Sequence, residues 1–236
     1  MFSALLTLLG MALSAKPSRR EFGLSLFYQN AIFFPVGIIA QIYGKDSSHL
    51  ADLFLFTMFF SAFVFNTYWL FLRGDRRGAD WSKIFHPAFV ATVLALGIRL
   101  AGLQVYLPEF ALTGLSMVGQ MAVPLLMLIL GGTIYLDFKE KGRLEPVEVG
   151  KFVLLKNILF PLVALVGLII LRPSYNVALI IFLQSAVPPI TSVPILVGRQ
   201  RGNRSIACQF LVASFLFSLI SIPVMVLIFG HYFPGK

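Results

Sequence analysis

Residues 184–198, QSAVPPITSVPILVG, place three prolines, a glutamine and three hydroxyl side chains inside an apolar run. Pro188, Pro189 and Pro194 each remove a backbone donor, and each ring crowds the carbonyl four residues back, so no continuous helix can pass through them. In a bilayer such a break is tolerated only where protein or a water-filled cavity covers it. The chemistry it offers is coordination. The N-terminal end of a half-helix carries positive dipole character and suits an anion, while a C-terminal end of free carbonyls suits a cation. Gln184, Ser185, Thr191 and Ser192 would line this break beside the three prolines.

A second stretch has the same ingredients. Segment 29–74 begins QNAIFFPVG and segment 184–230 begins QSAVPPITSVPILVG. Both open on Gln-polar-Ala, run through proline, pass a Gly-polar-polar-Ser turn (Gly44 to Ser47, Gly202 to Ser205) and end in an unbroken apolar run closed by Gly. Gln29, Asn30 and Pro35 are the candidate site residues of the first copy. An Asn inside an apolar span is costly unless it bonds to another helix, water or a ligand. Lys156 is a charge within an apolar span, near enough to one end to snorkel; it is also a candidate cation facing the site.

The elements that hold these residues follow from composition. Of 236 residues 58% are hydrophobic and 12% charged, about half the charge of a soluble domain. The apolar runs approach the ~20 residues that cross a bilayer. Eight spans can be drawn, at 2–15, 22–43, 50–72, 84–106, 111–136, 149–171, 174–198 and 205–230. Fourteen of the nineteen Lys and Arg residues fall in, or within three residues of, the loops after spans one, three, five and seven. Lys45, Arg99, Arg172 and Lys236 fall on the other side. By the positive-inside rule the four basic loops are cytoplasmic and both termini face out. Span two then enters from the cytoplasm and span seven from outside, so the two copies are inverted. Inverted repeats with a broken helix in each point to the binding site of a secondary transporter. The expected fold is an all-α integral membrane protein forming a single transmembrane domain.

Other classes fit poorly. The +9 net charge lies in short loops and forms no aromatic-interleaved patch for nucleic acid. Cys208, the one cysteine, excludes an intramolecular disulfide and a cysteine-cluster metal site. His49, His86 and His231 lie near span ends, and neither HExxH nor GxSxG occurs. No enzyme, metal site or cofactor is expected. At the N-terminus, Lys16, Arg19 and Arg20 follow the first apolar run instead of preceding it, so that run reads as a retained helix and not a signal peptide.

Segments 29–44, FHPAFVATVLALGIRL (85–100), LSMVGQMAVPLLMLILGGTI (115–134), SAVPPITSVPILVGRQRGNRS (185–205) and FLFSLISIPVMVLI (215–228) together resemble the auxin efflux carrier family. Its prokaryotic members look like organic-acid permeases. The resemblance implies ten spans in two inverted five-helix repeats, with broken helices crossing at the fourth and ninth, here spans two and seven. It implies that Asn30 lies in the substrate site, fourteen residues before Gly44, and that Pro188, Pro189 and Pro194 form the second crossover. Segments 1–73 and 149–230 would make the moving transport part, and 84–137 the scaffold. Pro35 and Gly37 stand where the family has Gly and then Pro, which moves the first break a turn earlier. In this correspondence the family's first two helices are lacking, and a homodimer would be one way to complete the scaffold. The implied activity is elevator-type transport of a small organic anion across the plasma membrane, either coupled to proton or sodium or running as a uniport. A non-transporting receptor or sensor, or an inactive fragment, built on the same fold is the alternative.

Overall fold

The computed structural model describes residues 2–44, 47–68, 71, 87–141 and 144–234. Residues 72–86, with His86 and four basic residues, lie outside them, as do Lys45, Arg143 and Lys236. The regular elements among the described residues are all helical. They are α1 (Phe2–Leu13), α2 (Arg19–Phe27), α3 (Phe33–Tyr43), α4 (Ser48–Thr57), α5 (Phe60–Thr67), α6 (Pro87–Leu100), α7 (Glu109–Lys141), α8 (Pro146–Val153), α9 (Phe160–Leu171), α10 (Tyr175–Ala186), α11 (Val193–Arg199) and α12 (Arg204–Tyr232). Among the described residues two helices are long and apolar enough to cross a membrane, Pro146–Leu171 and Arg204–Tyr232.

The first of these joins α8 to α9 through a π-turn at Leu154–Leu159. Pro161 explains it. In α geometry its ring would press on the Asn157 carbonyl. Widening the preceding turn relieves that contact, and the Phe160 amide donates five residues back, to the Leu155 carbonyl. Pro124 and Pro223, by contrast, lie inside α7 and α12, which run on past them.

The stretch 22–43, expected as one broken span, is α2 and α3 separated at 28–32. Pro35 does not make this break. It lies in the first turn of α3, where a missing amide costs no intrahelical bond. Stretch 174–198 is α10 and α11, separated at 187–192. Here proline does act: Val187, held extended (φ −76°, ψ 152°) ahead of Pro188, ends α10. The stretch 50–72, expected unbroken, divides into α4 and α5 around Met58 and Phe59. Just before this division the Thr57 hydroxyl donates back to the Leu53 carbonyl at 2.8 Å, a bond that tends to bend a helix.

Packing joins the broken pairs to the long helices. Phe22 of α2 meets Phe152 of α8 and Phe210 of α12 edge-on at 5.2 and 5.3 Å, and the latter two rings stack at 4.6 Å. Leu24 and Tyr28 pack with Val193, Leu196 and Val197 around the second break. Ile39 of α3 packs with Leu179, Phe182 and Leu183 of α10 and Phe229 of α12. Cys208 is buried in α12. Helices α6 and α7 present mostly exposed side chains, and α7 reaches the other helices chiefly through α12.

Candidate functional site

The two breaks meet. The Asn30 amide donates to the Pro188 carbonyl at 2.8 Å, and the Ile190 amide donates to the Tyr28 carbonyl at 2.9 Å. Gln29 and Pro189 thereby form an isolated antiparallel bridge. Backbone groups freed by one break satisfy those freed by the other, so the opening of two helices inside an apolar body is tolerated.

Side chains reinforce the crossing. Gln184 Nε2 donates to the Ala31 carbonyl at 2.7 Å, and Gln29 Nε2 approaches Gln184 Oε1 at 3.5 Å. Gln184 therefore acts mainly as a clamp between the two broken helices. Asn30 is 3% exposed. Its Oδ1 accepts from the Phe33 amide at 3.2 Å, capping α3. Since an amide N–H must meet the oxygen, the Asn30 Nδ2 group is left to face elsewhere, and it donates to nothing among the described residues. Asn30 thus joins the start of a half-helix to an unused donor, which is what an anion needs.

The second break supplies more. Thr191 is half-buried, and its hydroxyl makes no bond among the described residues. Ser192 Oγ is buried with no partner. A buried hydroxyl left unpaired costs about 1–3 kcal/mol, which a ligand would return. Ser185 is different: its hydroxyl donates to the Phe182 carbonyl at 2.6 Å and is occupied. Pro35, Pro188, Pro189 and Pro194 are all buried around the crossing.

At the helix ends, the carbonyls of Ser25, Leu26 and Phe27 receive no bond from beyond α2 among the described residues. Those of Gln184, Ser185 and Ala186 at the end of α10 are likewise open. The crossing therefore brings unused donors and unused acceptors together. Tyr28, Ala31 and Ser25 also belong to the crossing but are not legible in the sequence, because they contribute mostly backbone groups, which residue type does not reveal.

The turns that follow each broken pair are built alike. Ser47 Oγ accepts from the His49 amide at 3.3 Å ahead of α4, and Asn203 Oδ1 accepts from the Ile206 amide at 3.2 Å ahead of α12. By cap geometry Ser47 corresponds to Asn203, two residues before the Ser205 suggested by the sequence match. The first turn lies by α10, where Tyr43 and Tyr175 share a hydroxyl bond and Asn176 donates to Asp52 at 2.8 Å. The second lies by α2, where Glu21 Oε1 accepts from the Asn203 amide at 2.8 Å. Gly44 has φ +89°, a conformation that favours glycine. At Gly202 a Cβ would come within 2.8 Å of Val197 and 2.9 Å of Glu21.

Lys156 does not snorkel. It is 1% exposed, and its ammonium lies 5.1 Å from the centre of the Phe160 ring. Its neighbour Asn157 is structural glue: Nδ2 donates to the Ser214 carbonyl at 3.0 Å, and Ser214 Oγ donates to Oδ1 at 2.7 Å. Gln120, on the exposed face of α7, donates to Ser116 at 3.1 Å. The side chain of Asn66 lies outside the described residues. Among the described residues no group of three His, Cys, Asp or Glu side chains could hold a metal ion.

A family model described as membrane transport protein matches residues 77–226, which spans the second break and the helices on either side of it. The first break lies outside the matched region. No curated protein matches the chain significantly, and neither does any solved structure. With a match over more than half of its length, the chain belongs to the membrane transport protein family, that of the auxin efflux carriers.

Proposed function

We propose that this membrane transporter is a secondary carrier of small organic anions, carboxylates above all, that binds its substrate where the two broken helices cross. The observation that carries the reading is the reciprocal pairing of the breaks through Asn30, Pro188, Ile190 and Tyr28, beside the unused donors of Asn30, Thr191 and Ser192. A carboxylate there would accept from Asn30 Nδ2, the two hydroxyls and free amides at the start of α3. Gln29 and Gln184 hold the crossing, and the buried prolines shape it.

In this reading the chain is multi-pass in the plasma membrane, with eight spans in inverted repeats and both termini outside. Segments 1–73 and 149–230 move together as the transport part, and 84–137 forms the static part. The closeness of α2 and α3 to α8–α12, against the exposed α6 and α7, supports that division. Family membership favours transport over enzymatic chemistry.

Thr191→Ala tests the site on the side of the second break. The hydroxyl bonds to none of the described residues, so its loss leaves the fold intact and removes one hydrogen bond to a charged ligand, about 1.5–3 kcal/mol. Carboxylate uptake by proteoliposomes at sub-saturating substrate is expected to fall about tenfold or more. Unchanged uptake would remove Thr191 from the site.

A further inference from the structure

Phe22, Phe152 and Phe210 mark one level on α2, α8 and α12 by their mutual ring contacts. One turn further along each chain stand Leu26, Lys156 and Ser214. The bond between Ser214 and Asn157 keeps the long helices in that register, and Leu26 shares an apolar cluster with Phe152 and Phe160. Lys156 therefore lies at the depth of the last turn of α2, and the break begins two residues later, about 3 Å along the axis. It sits in the π-turn, a distortion that recurs at functional sites.

Charged groups elsewhere on the packed elements do not balance it. Glu148 on α8 is bonded to Lys151 at 2.7 Å, to Ser14 and to the Ala15 amide. Glu21 of α2 is held by Asn203, and Arg19 and Arg20 lie at the start of that helix. Arg204, His231 and Tyr232 lie at the ends of α12, Cys208 lies a turn and a half below Ser214, and Tyr175 opens α10. Arg172 follows the end of α9. Among the described residues the ammonium faces an aromatic ring and no carboxylate.

A lone ammonium in such a place is costly unless a counter-charge joins it. An anion arriving at the crossing supplies that charge. Linkage makes the effect reciprocal, so a proton on Lys156 strengthens anion binding. We infer that Lys156 carries the coupling proton, making transport a symport of carboxylate and proton. On one side of the membrane the Lys156 amine takes a proton from water as the carboxylate binds. On the other side the proton returns to water as the carboxylate leaves. One negative and one positive charge cross together and no covalent bond changes.

This inference rests on the carboxylate-carrier reading, and the experiment separates the two. Proteoliposomes with a trapped pH dye are given a labelled monocarboxylate. The expected result is one proton entering per anion, with accumulation of about tenfold per pH unit of inward gradient. In Lys156→Met and Lys156→Arg proteins shown to be folded, carboxylate-driven proton entry should vanish. Arginine keeps the charge but does not release its proton, so residual uptake there becomes independent of pH. Wild-type uptake without proton entry would overturn the inference and leave the carrier reading standing, as would proton entry retained by folded Lys156→Met. Absence of any uptake would overturn both. If neither variant folds, the wild-type proton stoichiometry decides.

Discussion

Asn30→Ala is expected to lower carboxylate uptake about ten- to hundredfold while the protein stays folded. The mutation deletes two bonds of different kinds. Loss of the Nδ2 donor removes about 1.5–3 kcal/mol of hydrogen bonding to a charged ligand. Loss of Oδ1 removes the cap on the Phe33 amide, worth about 1 kcal/mol of stability. Asn30→Asp separates the two. An aspartate still caps α3 and adds favourable charge at a helix N-terminus, yet it repels a carboxylate. Thermal unfolding in detergent should therefore show Asn30→Asp as stable as the wild type or more so, with uptake as low as in Asn30→Ala. Full uptake in Asn30→Asp would mean that Asn30 serves the fold alone.

The crossing itself makes a second strong prediction. The bonds from Asn30 to Pro188 and from Ile190 to Tyr28 flank Gln29 and Pro189. These two residues thus form a non-hydrogen-bonded antiparallel pair, for which Cα atoms lie about 4.5 Å apart. That distance falls within the range a disulfide bridges. With Cys208→Ser to remove the native thiol, the double variant Gln29→Cys with Pro189→Cys should cross-link almost completely under mild oxidant. Cleavage of the chain between the two positions would then leave one band without reductant and two with it. Two bands without reductant would mean that the breaks do not meet.

What could be read from residue types was the existence of the breaks more than their meeting. The second break was legible because Val187 precedes Pro188, and a residue before proline leaves helical geometry. The first was legible only approximately. Pro35 drew attention to the right helix but sits in the first turn of α3, while the chain opens at 28–32, where no proline stands. Meeting depends on the Tyr28 and Pro188 carbonyls and the Asn30 and Ile190 amides, groups that most residues carry alike. Matching Gln29 to Gln184 by type also placed the copies five residues out of step with space, where Gln29 faces Pro189.

Side-chain roles divided along the same line. Asn30 was marked by the cost of an amide in an apolar run, and its position at the crossing fits that reasoning. Gln184 and Ser185 carry equally polar side chains, yet one clamps Ala31 and the other turns back onto Phe182. Lys156 was visible as a charge in an apolar run, but its burial depends on packing between distant segments, which residue type does not reveal.

Carboxylate transport is tested most directly by uptake of labelled acids into proteoliposomes containing the purified wild-type protein, over a panel of dicarboxylates and aromatic acids. Saturable uptake of at least one of them is expected, above protein-free liposomes and lost in Asn30→Ala. Uptake no greater than in protein-free liposomes for every acid in the panel would contradict it.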